Sequence, residues 1–274
     1  MNNIKKKILI IKKMIPKYHF STIESPLKLV FVRHGQTTWN IIKRYQGWQD
    51  APLTKKGINE AYMAGKKLKE NNYKFDICYS SMLKRTIKTW HTISDVLNQD
   101  YIKHIKTWRL NEKHYGDLEG LSKEEREKKY DKNQIKIWRF SFDKKPPPLK
   151  ENDFRNPIFN EKYKNIPPNI LPRSESLKNT LNRILPFFND VILKDVLLKK
   201  KVIVCLHGDI LRSLRKYLDN ISDKNIEKFR IPNAIPLVYE FDNKLNVIQH
   251  YYLATDEEVK TKIHETEEGL NILM

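Results

Sequence analysis

The sequence predicts an α/β protein, a three-layer fold in which helices cover both faces of a wound, mainly parallel sheet. Three observations carry that expectation. Leu27 to Val32 (LKLVFV) and Lys201 to Leu206 (KVIVCL) are nearly unbroken apolar runs of strand length, as expected of strands buried on both faces. Both runs lead directly into a histidine, Arg33-His34-Gly35 in the first case and His207-Gly208 in the second. Between them lie long segments of helical periodicity, and strands alternating with helices imply a parallel sheet. In such sheets ligands bind beyond the carboxyl ends of the strands, at the point where the winding reverses.

Taken in order, Leu27 to Val32 is the first strand, and Thr54 caps a helix through Glu70 whose face carries Ile58, Ala61, Gly65 and Leu68. Asp76 to Tyr79 reads as the second strand, and Ser80 or Ser81 caps the next helix, which runs to about Leu97. The stretch from about 110 to 180 is rich in Pro, Asn, Lys and aromatics, with KKPPP at 144–148 and IPPNILP at 166–172. It reads as loop-dominated, with one helix from Ser122 to Phe140. A helix from Ser174 to about Leu198 then precedes the strand Lys201 to Leu206. No repeat of 20 to 50 residues and no low-complexity linker divides the chain. The expected organisation is a basic extension at 1–26, a catalytic domain at 27–262 and a tail at 263–274.

At 274 residues, 39% of them apolar, the chain can bury one sizeable core without help from disulfide or metal. The net charge of +19 suits nucleic acid, an anionic membrane or phosphorylated metabolites. Lysine is spread over presumed helix faces and loops alike, however, as a solvated surface requires, so neither nucleic acid nor membrane is expected as a partner. Five tryptophans, Trp39, Trp48, Trp90, Trp108 and Trp138, are scattered among elements and are expected in the core and the substrate rim rather than as a base-stacking platform. Cys78 and Cys205 each sit inside an apolar run as small buried hydrophobes, which fits a reducing compartment such as the cytoplasm. No Cys and His set has zinc-ligand spacing, no metal is expected, and no segment reaches the roughly 18 apolar residues of a membrane helix. Residues 1–23 hold six lysines and no acid or arginine. They read equally as a targeting segment, which would make the location organellar, or as a compositionally biased extension. Without these six lysines the net charge falls from +19 to +13.

A lone strand-end histidine is ordinarily structural. Here Arg33 precedes His34, Gly35 permits a sharp turn, Asn40 opens the following segment, and a second strand ends in His207. Two strand-end histidines with a guanidinium suit an anion site. At this point LVFVRHGQTTWN (29–40) resembles the RHG signature of the histidine phosphatase superfamily. RYQGWQDAPLTKKG (44–57), SSMLKRTIKTW (80–90), WRLNEKHYGDLEGLSK (108–123) and IPNAIPLVYEFD (231–242) narrow the resemblance to its 2,3-bisphosphoglycerate-dependent phosphoglycerate mutases, over about Leu27 to Lys262.

The resemblance implies interconversion of 3-phosphoglycerate and 2-phosphoglycerate, with 2,3-bisphosphoglycerate as phosphoryl primer and a homodimer or homotetramer as the assembly. It makes His34 the phosphorylated nucleophile, and Arg33, Asn40, Arg85 and His207 the pocket of the transferred phosphate. Arg85 is expected one turn into its helix. Glu112 becomes the proton donor and acceptor for the substrate hydroxyl. Lys113, Tyr115, Lys123, Arg139 and the backbone near Gly47 hold the carboxylate and second phosphate, and Gln46, Gly208 and Asp209 face the substrate. The physics agrees, because phosphoryl transfer needs in-line positioning and positive charge on the equatorial oxygens more than covalent assistance.

Several positions depart from the family pattern. Gln36 stands for glutamate, Gln46 for threonine, Lys113 for arginine, Phe140 for the second arginine of a WRR pair, and Asp209 for asparagine. Phe140 removes a bidentate clamp and Lys113 offers only a point charge, so affinity for a bisphosphorylated ligand is expected to fall. Asp209 is expected to repel an incoming phosphate unless it turns away or pairs with a cation. The end, KIHETEEGLNILM, is expected to lack the lysine-bearing tail that keeps water out of the site. Two other readings therefore stay open: a phosphatase using the same residues with water as acceptor, and a non-catalytic homologue.

Overall fold

The computed structural model describes residues 25–271. All of the basic extension except Ser25 and Pro26, including the 1–23 targeting reading, lies outside the described residues. Six strands form one sheet: β1 (Leu27–Arg33), β2 (Ile77–Ser80), β3 (Lys103–Lys106), β4 (Val202–Leu206), β5 (Leu237–Phe241) and β6 (Val247–Tyr252). Their order is β3-β2-β4-β1-β5-β6. The four strands from β3 to β1 pair in parallel, and β5 and β6 add antiparallel. The sheet is thus mainly parallel with an antiparallel edge.

Alternation along the central strands explains the layering. In β1, Leu29 and Phe31 face one side with Val204 and Leu206, where Ile184, Phe188, Ile210 and Leu214 pack. Val30 and Val32 face the other with Cys78 and Cys205, where Ala64, Leu68, Trp90 and Ile93 pack. Both cysteines are free and fully buried. A strand covered on both faces has no polar side, which is why these runs are nearly unbroken.

The helices are α1 (Lys55–Glu70), α2 (Lys84–Leu97), α3 (Lys123–Lys129), α4 (Lys132–Phe140), α5 (Leu177–Phe187), α6 (Gly208–Leu218) and α7 (Asp256–Asn271), with short turns at Thr38–Ile41 and Asp223–Ile226. Thr54 caps α1 as expected, accepting from the Gly57 N–H. Three helical expectations need correction. The helix expected from Ser80 or Ser81 starts at Lys84, because the Ser81 hydroxyl serves the Leu83 N–H (3.1 Å) and a histidine ring instead. The helix expected over Ser122–Phe140 is two helices. Tyr130 is extended between them, and Asp131 caps the second by accepting from the Gln134 N–H at 3.0 Å. The helix expected from Ser174 starts at Leu177 under a Ser176–Asn179 capping box, then continues past Pro186 through a π-helical turn, Phe188–Ile192, to Leu197. None of the helices among the described residues is long and apolar enough to cross a membrane.

Candidate active site

Pairing of β1 with β4 builds the centre. Arg33 is in register with Leu206, and the His34 N–H donates to the Leu206 carbonyl at 3.0 Å. The residues that follow each strand must therefore emerge side by side, and the rings of His34 and His207 lie 5.1 Å apart, edge to face. Gly35 is required by a close approach, since a Cβ there would fall 2.2 Å from the Gly57 carbonyl oxygen. Its own carbonyl lies 2.8 Å from Nδ1 of His34. A carbonyl only accepts, so Nδ1 carries the proton and Nε2 keeps its lone pair. Burial, reinforced by the charges of Arg85 and Arg33, holds the His34 pKa well below the usual imidazole range, so the ring is neutral and nucleophilic.

Arg85 sits in the first turn of α2 rather than one turn in, because α2 begins later than expected. Its Nε donates to Nδ1 of His207 at 3.1 Å, while its terminal nitrogens hold the carbonyls of Gln49 (2.9 Å) and Gly47 (2.8 Å). A guanidinium only donates, so His207 carries its proton on Nε2, 2.8 Å from the Ser81 hydroxyl. Burial and then Arg85 keep His207 neutral as well. Arg33 gives one terminal nitrogen to the Ile231 carbonyl (2.5 Å), and its buried Nε has no protein acceptor. A buried, unpaired donor on a cation, beside a nucleophile, is what an anion would satisfy.

Glu112 reaches the same cavity on a loop after a short 3₁₀ turn, Trp108–Leu110. Arg183 anchors that loop. It is clamped by Glu175 at 2.7 and 2.8 Å and donates to the carbonyls of Trp108, Arg109, Asn111 and Glu112. The Trp48 indole adds a 2.7 Å bond to the Glu112 carbonyl. Burial first, and then the neighbouring charge of Asp209, push the Glu112 carboxyl up to about 7. It therefore exists in both protonation states near neutrality.

One cavity gathers most of the residues expected from sequence: Arg33, His34, Asn40, Gln46, Gly47, Arg85, Glu112, Tyr115, Arg139, Gly208 and Asp209. His207 lies behind His34 and outside the lining. Lys113 is wholly buried beneath the floor, donating to the carbonyls of Trp138 and Arg139 and lying 3.5 Å from Asp209. Lys123 is on α3 facing Glu127, away from the cavity. The carboxylate of Asp209 is paired, with Arg212 at 2.7 Å and the Tyr115 hydroxyl at 2.5 Å, which balances the repulsion expected of it.

The expectation of a missing cover also needs correction. Lys262, Glu265 and Thr266 of α7 line the cavity, and α7 is held at its mouth by Lys262–Glu60 (3.3 Å) and Lys56–Glu265 (3.0 Å). Arg44, Glu60, Arg212, Arg230 and Asn233 belong to the lining too and escaped the sequence reading. For Arg212 a signal existed, since it lies three residues after Asp209 on one helix face.

The family model of the histidine phosphatase superfamily (branch 1) matches residues 29–156 and 150–253. A 2,3-bisphosphoglycerate-dependent phosphoglycerate mutase of Parabacteroides distasonis is 47% identical over 232 residues, 85% of this chain and 94% of the relative. That of Borrelia garinii is 50% identical over 234 residues, with the same shares, and that of Elusimicrobium minutum 47% over 233. Among solved structures, a mycobacterial glucosyl-3-phosphoglycerate phosphatase superposes with a TM-score of 0.62 at 19% identity, covering 83% of this chain and 98% of its own. An Entamoeba histolytica phosphoserine phosphatase, in complex with 3-phosphoglyceric acid, gives 0.58 at 22% identity over 84% of this chain and 98% of its own. At such identities the structural likeness speaks to the fold.

Proposed function

The chain belongs to the histidine phosphatase superfamily, and from that premise we propose that it is a 2,3-bisphosphoglycerate-dependent phosphoglycerate mutase that interconverts 3-phosphoglycerate and 2-phosphoglycerate. The names its close relatives carry support the substrate. The observation that carries the chemistry is a neutral His34 with its Nε2 lone pair free, in a cavity that also holds Arg33, Arg85 and Glu112.

In this reading Nε2 of His34 accepts the phosphoryl group, and Nδ1, bonded to Gly35, keeps the ring oriented for in-line attack. Arg33 and Arg85 offset the charge of the equatorial oxygens. Protonated Glu112 gives its proton to the departing substrate hydroxyl and, once ionised, takes one from the hydroxyl that attacks on return. Its pKa of about 7 suits both directions at neutral pH. The buried Nε of Arg33 and the guanidinium groups of Arg139 and Arg230 in the same lining fit a doubly phosphorylated acid. When bound, 2,3-bisphosphoglycerate supplies the phosphoryl group that loads His34. Closure by α7 favours transfer over hydrolysis by restricting water. The homodimer or homotetramer of the resemblance is part of the same proposal.

The test is to incubate the purified chain with 3-phosphoglycerate, with and without catalytic 2,3-bisphosphoglycerate, and to follow 2-phosphoglycerate and free phosphate together. The expected result is 2-phosphoglycerate that forms faster with the bisphosphate and is lost in His34→Ala. Phosphate alone replaces the mutase with a phosphatase, and no product at all leaves the non-catalytic reading.

A further inference from the structure

Glu119 is a wholly buried carboxyl group that the chemistry at His34 does not use. It follows the 3₁₀ turn Gly116–Leu118, with its N–H on the Gly116 carbonyl (3.0 Å) and its own carbonyl receiving Arg155 (2.5 Å). Oε1 accepts two backbone N–H groups, those of Trp48 and Tyr115, each at 3.0 Å, and Oε2 accepts from the Gln49 side chain at 3.2 Å. His114 lies alongside with Nδ1 3.2 Å from Oε1, but that nitrogen accepts from the Gly116 N–H (3.0 Å), and burial holds the ring's pKa down to about 3. It is a neutral neighbour that supplies no counter-charge. Burial pushes the Glu119 carboxyl up to about 7 in spite of its three hydrogen bonds. Withdrawing such a group from water opposes folding, so its placement asks for a reason other than stability.

The donors it holds belong to the two halves of the site. The Trp48 N–H lies in the same peptide plane as the Gly47 carbonyl, and that carbonyl receives Nη2 of Arg85 at 2.8 Å. One rigid peptide therefore stands between a carboxyl on its N–H end and a guanidinium on its carbonyl end, and each bond polarises the other. The Gln49 carbonyl takes Nη1 of Arg85 at 2.9 Å, and the Gln49 side chain is again on Glu119. On the other side, Tyr115 comes three residues after Glu112. The carbonyl of the His114–Tyr115 peptide receives the Glu175 N–H at 2.8 Å, and Glu175 clamps the Arg183 that anchors the Glu112 loop. Oε1 of Glu119 is thus an acceptor shared by the Arg85 turn and the Glu112 loop.

We propose that Glu119 is a positioning residue: through the Gly47–Trp48 peptide it fixes the orientation of Arg85 toward the phosphate at His34, and through the Tyr115 N–H it keeps that guanidinium in register with Glu112. The proposal rests on the phosphate role assigned to Arg85 above and deepens it. Glu119 itself is outside the cavity lining and acts only through these bonds.

Reach and charge are separable at this position. Glu119→Gln keeps the length and an oxygen for the two N–H groups. Glu119→Asp keeps the charge but is one methylene shorter, which withdraws the oxygens by about 1.5 Å. Calorimetric titration of inorganic phosphate reads the Arg85 end whether or not turnover occurs. It is made in the wild type and in an Arg85→Lys background, where an ammonium cannot reproduce the fork that holds both carbonyls. Glu119→Gln is expected to stay within about threefold of wild type and Glu119→Asp to weaken phosphate about tenfold, the size of coupling within one hydrogen-bond network. In the Arg85→Lys background Glu119→Asp should add less than about twofold. In turnover, Glu119→Asp should lower kcat by up to about a hundredfold and by more than it raises KM, because alignment of Arg85 with Glu112 matters most in the transition state. Equal loss of phosphate affinity in both backgrounds overturns the proposal, as does a lower melting temperature with affinity within about twofold of wild type, or a Glu119→Gln loss beyond about tenfold. Absence of isomerisation in the wild type, with the coupled loss of phosphate affinity intact, would instead remove the assigned reaction and keep the positioning role.

Discussion

Asp209→Asn is the substitution that best separates charge from shape in this site. Burial works against the charge of Asp209, but Lys113 and Arg212 together with the Tyr115 hydroxyl outweigh it and hold its pKa below the ordinary range. It therefore stands as a fixed negative charge whose backbone N–H lies 3.2 Å from Oε1 of Glu112. At an effective dielectric near 20, a neighbouring unit charge is worth on the order of 2–3 kcal/mol, or about two pKa units. Partial cancellation by Lys113 and Arg212 leaves about one unit. Asparagine keeps an acceptor for Arg212 and Tyr115 but removes the charge. The sign is fixed: loss of a negative neighbour favours ionised Glu112, so its pKa falls from about 7 towards about 6. At pH 7 the protonated fraction then drops from about one half to about one tenth, and the step in which Glu112 donates should slow about fivefold. The assay is the pH profile of kcat/KM for isomerisation between pH 5 and 9, with Glu112→Gln used to identify the limb that reports Glu112. The expected outcome is that this limb moves about one unit to lower pH. An unmoved limb with rates within twofold of wild type would show that Glu112 does not feel Asp209, and that burial alone raises it.

Two further outcomes follow from the cover and from the turn beneath the phosphate pocket. Lys262→Ala removes the bond to Glu60 (3.3 Å) that holds α7 at the mouth, and should raise the ratio of phosphate released to 2-phosphoglycerate formed several-fold; an unchanged ratio means that this tether of α7 does not control water. Gly47→Ala places a Cβ 1.8 Å from Oε1 of Glu119 at a φ of +49°. It should cost about 2–4 kcal/mol, seen as a melting temperature roughly 5–10 °C lower, with weaker phosphate binding because the Gly47 carbonyl receives Arg85.

How much of this was legible in the sequence depended on whether the controlling interaction was local. The central strands were legible because burial on both faces leaves an apolar run, and the α1 cap because Thr54 is followed by periodic apolar residues. The edge strand β3, KHIK, has exposed or half-buried residues at every position and left no such pattern. Strand β5 lies inside a motif that is legible only through the family resemblance (231–242), and β6, with no buried residue, falls outside every such motif. Ser81 reads as a cap, but its hydroxyl is shared between the local Leu83 N–H and His207, 126 residues away, which no local pattern reveals. Arg183 and Arg230 were missed for the same reason: an arginine on a helix or loop reads as solvated surface until topology brings an acceptor or a ring to it.

The remaining question is why a domain of marginal stability would bury so many cations together. Arg33, Arg85 and Lys113 are each withdrawn from water, and burial lowers the pKa of each. Pairing answers only part of this cost. Lys113 has Asp209, but Arg85 is satisfied by neutral carbonyls and a neutral ring, and the Nε of Arg33 by no protein atom. For stability alone, apolar side chains of similar volume would serve as well or better. The arrangement is favourable only when the missing counter-charge is supplied from outside, and the cavity beside His34 is where it can enter. The local rules of folding are broken at these residues, and the breach has the charge, the position and the unpaired donor that a phosphate would meet.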